Sequence, residues 1–195
     1  MIKDPILQKL IKQYPAPEWT DRSEFLFEDL IETIISQQLS IKAADSIYKR
    51  FKQLFDQPVE ESFSFPTPEQ ILSIEQGSIR QIGVSTSKAK YIHNVAQAFI
   101  NKEIEINKIK TMTDAEVIDA LVQIKGVGKW TAEMILIFTL NRPDVFSFGD
   151  LGLKNAIKNL YGITEKEEIL QLVKNWSPHK STASWYLWRS LENKK

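Results

Sequence analysis

Apolar residues recur at three- and four-residue intervals along almost the whole chain, and that period points away from a sheet. Phe27, Leu30, Ile31, Ile34 and Ile35 fall on one helical face, so the pattern predicts a helix over about 23–38. Ser40 is placed to cap the next, which runs through Ala44, Ile47, Tyr48 and Phe51 to Phe55. Thr67-Pro68-Glu69-Gln70 joins a capping hydroxyl to a proline at the first helical position and a glutamine at the third, which opens a short helix. Further helices are predicted over 85–100, 113–123, 131–140, 151–160, 164–175 and 178–191. Only Val145-Phe146-Ser147-Phe148 has the character of a strand, and one short isolated segment makes no sheet. The fold class is all-α.

Composition removes several kinds of chemistry. The 195 residues, 43% hydrophobic, suffice for one globular unit or two small lobes. There is no cysteine, so a disulfide, a thiol nucleophile and a cysteine-bound zinc or iron–sulfur cluster are excluded. His93 and His179 are the only histidines, too few for a multi-histidine metal site. No apolar run approaches the roughly 18 residues of a membrane span, and no membrane partner is expected. Met1-Ile2-Lys3-Asp4-Pro5 lacks an apolar leader. The chain therefore reads as cytoplasmic, at the nucleoid in a bacterium or nuclear in a eukaryote. Lysine plus arginine equals aspartate plus glutamate at 25 each, so a surface for a polyanion must be local. Residues 121–160 carry Lys125, Lys129, Arg142, Lys154 and Lys158 against Glu133, Asp144 and Asp150. After Gln171 the only acidic residue is Glu192. The C-terminal half is thus the better candidate to meet phosphate.

Ile124-Lys125-Gly126-Val127-Gly128-Lys129-Trp130-Thr131 lies between two helical patterns. Two glycines around one apolar residue allow a tight hairpin whose backbone can approach another surface closely. A second helix beginning near Thr131 would leave unpaired N–H groups pointing outward, with Lys125 and Lys129 nearby. That is a helix–hairpin–helix over 114–140, able to grip a nucleic-acid backbone without reading its sequence. A plain helix corner that needs two glycines is the other reading. Further on, an apolar run delivers Asp150 to a helix start, with Gly149 allowing the turn. Asp150 can be an N-cap, a carboxylate facing a substrate cation, or both at once.

The hairpin, the glycine- and proline-bearing loop and Asp150 together resemble the helix–hairpin–helix DNA glycosylase superfamily, most closely its alkylated-base branch, DNA-3-methyladenine glycosylase II. Leu30-Ile-Glu-Thr-Ile-Ile-Ser-Gln-Gln-Leu-Ser40 is similar to that family's helix and wedge loop. Phe65-Pro-Thr-Pro68, Gly83-Val-Ser-Thr-Ser-Lys-Ala-Lys-Tyr-Ile92 and the 176–188 segment occur in the family's order, and the likeness covers about 20–190. The bacterial prototype has an added N-terminal β domain, for which this chain has no room.

The resemblance implies a single glycosylase unit over 1–195 in two lobes, one of about 27–142 and one of about 1–26 plus 143–195, with the active-site cleft between them. It implies a monofunctional enzyme that flips alkylated purines (3-methyladenine, 7-methylguanine) out of duplex DNA and leaves an abasic site. Asp150 matches the catalytic aspartate. Asp144 is the rival carboxylate, read as structural. Strand-cutting relatives place a nucleophilic lysine where Trp130 stands here, so no Schiff base is expected. Leu39, with Gln38, matches the wedge that fills the vacated stack, and an ordinary core leucine is the other reading. Trp130, Met134 and Trp188 match base-pocket positions, where electron-rich rings suit a cationic purine. The alternative for both tryptophans is core packing, and Met134 stands where the prototype has an aromatic residue. Lys125, Gly126, Gly128, Lys129 and Thr131 match the DNA-backbone contact. The carbonyls of Val122, Ile124 and Val127 match ligands of a Na+ or K+, and no other cofactor is expected. The partner is damaged double-stranded DNA, met by a monomer. Two other functions fit the same residues: a glycosylase of this fold for a deaminated or oxidised base, and a non-catalytic DNA-binding module.

Overall fold

Capping side chains set where six of the helices begin. The computed structural model describes residues 2–55 and 65–192, and among them it has twelve α-helices and no strand. These are α1 (Pro5–Gln13), α2 (Leu26–Ser36), α3 (Ile41–Gln53), α4 (Pro68–Ser73), α5 (Gln76–Gln81) and α6 (Thr86–Ile100). They continue as α7 (Ile106–Thr111), α8 (Asp114–Val122), α9 (Lys129–Met134), α10 (Leu151–Tyr161), α11 (Lys166–Lys174) and α12 (Lys180–Glu192). Ser40, Ser85, Thr67 and Thr113 each accept a hydrogen bond from a first-turn amide, and the last two close full capping boxes with Gln70 and Glu116. No helix among the described residues is long and apolar enough to cross a membrane.

The chain divides into two units, Arg22–Ile135 and a second made of Met1–Asp21 and Leu136–Lys195. The division falls where α9 passes into a π-helical turn, Ile135–Thr139.

In the unit Arg22–Ile135, α2 buries Leu26, Leu30, Ile31, Ile34 and Ile35 completely or nearly so. Each such side chain contributes about 2 kcal/mol of hydrophobic stabilisation. Phe27 is only half-buried and meets the rings of Phe65 and Phe99. α6 packs against α2, α4 and α5, and α9 against α8 and α2.

In the other unit α12 packs against α10 and α1. Its core surrounds the buried indole of Trp176. Asp4 organises that end. Its Oδ1 caps α1 through the amides of Ile6 and Leu7 and accepts the Tyr161 hydroxyl at 3.0 Å. Its Oδ2 accepts from Trp176 Nε1 at 3.2 Å. Burial, together with the adjacent Asp4 charge, pushes the Tyr161 phenol far above its usual range, so it stays a donor.

The expected helices form, with shifted ends, and three more accompany them. α2 opens with a 3-10 turn, Ser23–Phe25, and α3 stops at Gln53. α1, α5 and α7 escape the periodicity because each buries only one or two side chains. Val145-Phe146-Ser147-Phe148 is not a strand.

Candidate functional site

The hairpin between α8 and α9 is built on Gly126. Its φ is +110°, a region closed to most side chains, and a Cβ there would lie 2.1 Å from Cγ of Tyr91 on α6. Val127 N–H donates to the Ile124 carbonyl at 2.9 Å and closes the turn, while both side chains are buried. Asn94, one turn beyond Tyr91 on α6, donates its amide to the Lys125 carbonyl at 2.8 Å. Gly128 differs from Gly126. It is exposed, has φ −90°, and faces open space where a Cβ would stand. Nothing inside the protein requires glycine there.

α9 begins at Lys129, two residues before the expected start at Thr131. Thr131 is therefore the third residue of α9, still within its first turn. Its side chain is buried, and its hydroxyl accepts from Gln37 Nε2 at 3.0 Å. The Thr131 hydroxyl thus serves the packing of α2's end on α9, while Lys125, Gly128 and Lys129 hold exposed positions. Trp130 is half-buried, whereas Met134 is buried.

The same α2 end carries the wedge candidates. Gln38 adopts a left-handed backbone, φ 58°, and Leu39 beyond it is 39% exposed. Leu39 is therefore no core leucine.

The loop before α10 is fastened to the start of α12. Ser181 Oγ donates to the Arg142 carbonyl at 2.6 Å and accepts from Val145 N–H at 3.1 Å. Asp144 accepts from Ser177 Oγ, from the Lys180 amide and from Lys180 Nζ at 2.9 Å. Burial raises the Asp144 pKa, but these donors outweigh it and hold the carboxyl below its ordinary range. Asp144 is a fastening.

Asp150, 9% exposed, is the N-cap of α10. Its Oδ1 accepts from the Leu153 amide at 2.7 Å and from Trp188 Nε1 at 2.9 Å. Gly152 makes room for this pair, since a Cβ there would lie 3.1 Å from Asp150 Oδ1 and 3.2 Å from Trp188 Cδ1. Gly149 is not strained: its φ is not positive, and the turn into α10 rests on the Asp150 N–H to Ser147 carbonyl bond at 3.2 Å. Trp188 also packs on Phe138, centroids 5.5 Å apart, and Phe138 on Trp19 at 6.2 Å. Phe138 is 42% exposed although it comes after a buried helical run. The aromatic row Trp19–Phe138–Trp188 is not evident in the sequence, because a π turn displaces Phe138 from the α-helical period.

A model of HhH-GPD superfamily base excision DNA repair proteins matches residues 31–179. The chain belongs to this family. The alkylbase DNA glycosidase-like protein mag2 of Schizosaccharomyces pombe is 38% identical over 84% of this chain and 76% of its own. DNA-3-methyladenine glycosylase 1 of the same yeast is 35% identical over 94% of this chain and 80% of its own. A solved structure of the S. pombe 3-methyladenine DNA glycosylase, in complex with abasic DNA, superposes with a TM-score of 0.85 at 32% identity, covering 98% of this chain and 94% of that one.

In this HhH-GPD protein the indole of Trp188 holds one oxygen of Asp150. Trp188→Phe keeps a ring against Phe138 and removes the donor. A hydrogen bond to a charged acceptor is worth about 2 kcal/mol, so the single-turnover excision rate should fall roughly tenfold or more. Circular dichroism and DNA affinity should stay close to those of the parent. An unchanged rate would leave Trp188 with no part in holding the carboxylate.

Proposed function

We propose that this protein is an alkylbase DNA glycosylase. It hydrolyses the N-glycosidic bond of 3-methyladenine and 7-methylguanine in duplex DNA and leaves an abasic site. The observation that carries this reading is the Asp150 carboxylate, capped by the Leu153 amide and gripped by Trp188 at the mouth of α10. As the base departs, positive charge develops on the sugar, and a fixed carboxylate stabilises that charge with little reorganisation. Water then delivers hydroxide to the anomeric carbon, and its proton ends on the departing base or on solvent. Trp130 offers no amine, so the sugar forms no Schiff base and the strand stays intact.

Other residues support this chemistry. An alkylated purine is cationic and gains by lying against electron-rich rings, a role we assign to Trp130 and Trp188 with Met134 beside Trp130's turn. A base in a duplex must first be extruded at a cost of a few kcal/mol. Exposed Leu39, with Gln38 setting its direction, fills the gap. The hairpin backbone about Gly126 and Gly128, with Lys125 and Lys129, holds the flanking phosphate. A monovalent cation at the hairpin is part of the same proposal, and the Ile124 oxygen, which accepts from Val127 N–H, keeps a lone pair for it. Ile124, with the carbonyls of Val122 and Val127, would supply its ligands. The protein acts as a monomer on damaged duplex DNA.

The direct test is to incubate the protein with methylated duplex DNA, separate the released bases, and ask whether the strand breaks only after alkali. Release of 3-methyladenine with alkali-dependent breaks is the expected result. Binding without release would turn attention to deaminated and oxidised bases, for which buried Met134 in place of an aromatic residue leaves a differently shaped pocket.

The hairpin has its own test. Gly128→Asp fits within the protein, since nothing lies within 4 Å of the new Cβ. It sets a negative charge against phosphate and should weaken binding about tenfold for all sequences alike. Gly128→Ala should weaken it less. Fluorescence anisotropy on undamaged duplexes reads both, and unchanged affinity for Gly128→Asp would remove the hairpin as the DNA anchor.

A further inference from the structure

Lys88 stands in the first turn of α6, capped by Ser85, where the helix dipole disfavours a cation. Its ammonium escapes that penalty by reaching the C-terminus of another helix. Nζ donates to the Ile35 carbonyl at 2.8 Å and to the Gln37 carbonyl at 2.5 Å. Both oxygens belong to the last turn of α2 and its cap, where carbonyls lack intrahelical partners and a positive charge is favoured. The ammonium is partly desolvated there, and burial lowers its pKa. A residue that breaks a local rule on its own helix in order to satisfy another element's backbone marks a point where position matters.

Directly after those two carbonyls come Gln38, in the left-handed region, and then exposed Leu39. The loop is held at only a few points. Leu39 N–H donates to the Ser36 carbonyl at 3.1 Å, Gln37 donates its side-chain amide to Thr131, and Lys88 takes the two carbonyls. Three and six residues further along α6 stand Tyr91, against Gly126, and Asn94, on the Lys125 carbonyl. One helix face thus supports the loop that presents Leu39 and also the hairpin.

We propose that Lys88 is a positioning residue for the Leu39 loop, fixing the direction in which the leucine enters the DNA stack. The inference rests on the reading of Leu39 as the wedge, so the experiment is arranged to separate the two. Lys88→Met keeps the aliphatic stem and removes the donors, whereas Lys88→Arg keeps donors of similar reach. Single-turnover excision is measured on two duplexes of one sequence, with the methylated purine either paired normally or placed opposite an abasic analogue, where extrusion is easier. The readout is the ratio of the two rates, because a general loss of structure lowers both together.

For Lys88→Met the paired-to-abasic ratio should fall about tenfold, as should that for Leu39→Ala, and Lys88→Arg should restore most of it. A ratio that falls for Leu39→Ala but holds for Lys88→Met overturns the proposal and leaves the wedge standing. A ratio that holds for Leu39→Ala overturns the wedge reading itself. Equal slowing on both duplexes by Lys88→Met makes Lys88 a general structural lysine, which also overturns the proposal. Should Lys88→Met fail to fold by circular dichroism, Lys88→Gln, whose amide is too short to reach both carbonyls, replaces it in the same comparison.

Discussion

Asp150→Asn should abolish base excision and leave the protein folded. The two consequences separate because the two jobs of Asp150 need different things from it. As an N-cap it accepts the Leu153 amide and the Trp188 indole N–H with one oxygen, and asparagine does that about as well as aspartate. As a catalytic group it must bring a full negative charge to the sugar, and the amide has none. Removing one preorganised stabilising group from an active site typically costs a factor of roughly 10²–10³ in rate, and loss of a formal charge belongs at the upper end or beyond. Thermal melting should shift little, and affinity for methylated duplex should be retained. Near-parental release of methylated bases by the variant would remove Asp150 from the chemistry.

The largest loss of stability is expected at Gly126. An alanine there faces two obstacles at once, a φ of +110° and a Cβ placed 2.1 Å from Tyr91 Cγ and 2.4 Å from its Cβ. The tyrosine cannot yield by turning its ring, because its own Cβ is among the atoms in the way. Overpacking and a left-handed backbone each cost about 1–3 kcal/mol, so Gly126→Ala should lose roughly 3 kcal/mol or more. In a chain of this length that corresponds to a fall in Tm of roughly 6–12 °C. Differential scanning calorimetry of Gly126→Ala beside Gly128→Ala gives the contrast, since the second glycine meets nothing and should shift Tm by only a degree or two. Equal melting of the two variants would mean that the hairpin does not rest on Tyr91.

How much of the structure is legible in the sequence depends on where each signal resides. Thr67, Ser85 and Thr113 cap their helices from within four consecutive residues, so the starts of α4, α6 and α8 can be read directly. α1 carries a comparable sign in Asp4-Pro5, but its periodic face has only Leu7 and Leu10 to declare it. The start of α9 is misplaced by sequence reasoning because Gly128 caps through backbone geometry alone, with no side-chain hydrogen bond. At the site, Asp150 stands out as a carboxylate at a helix start. Its bond to Trp188 spans 38 residues and depends on the absence of a side chain at Gly152, which no local pattern reveals. The same holds for Lys88, whose two acceptors lie 53 and 51 residues away. Gly126 and Gly128 look alike in the sequence. Only packing distinguishes the one that serves the fold from the one that faces outward.

The shared face of α6 makes that helix a gauge. Lys88 and Asn94 are six residues apart, about 9 Å along a rod that does not bend easily. On the roles proposed for Leu39 and the hairpin, the point of entry into the stack and the point of grip on the strand are set at one spacing. A searching enzyme built this way tries each base pair with identical geometry. What such an enzyme would sense first is how readily each nucleotide leaves the stack.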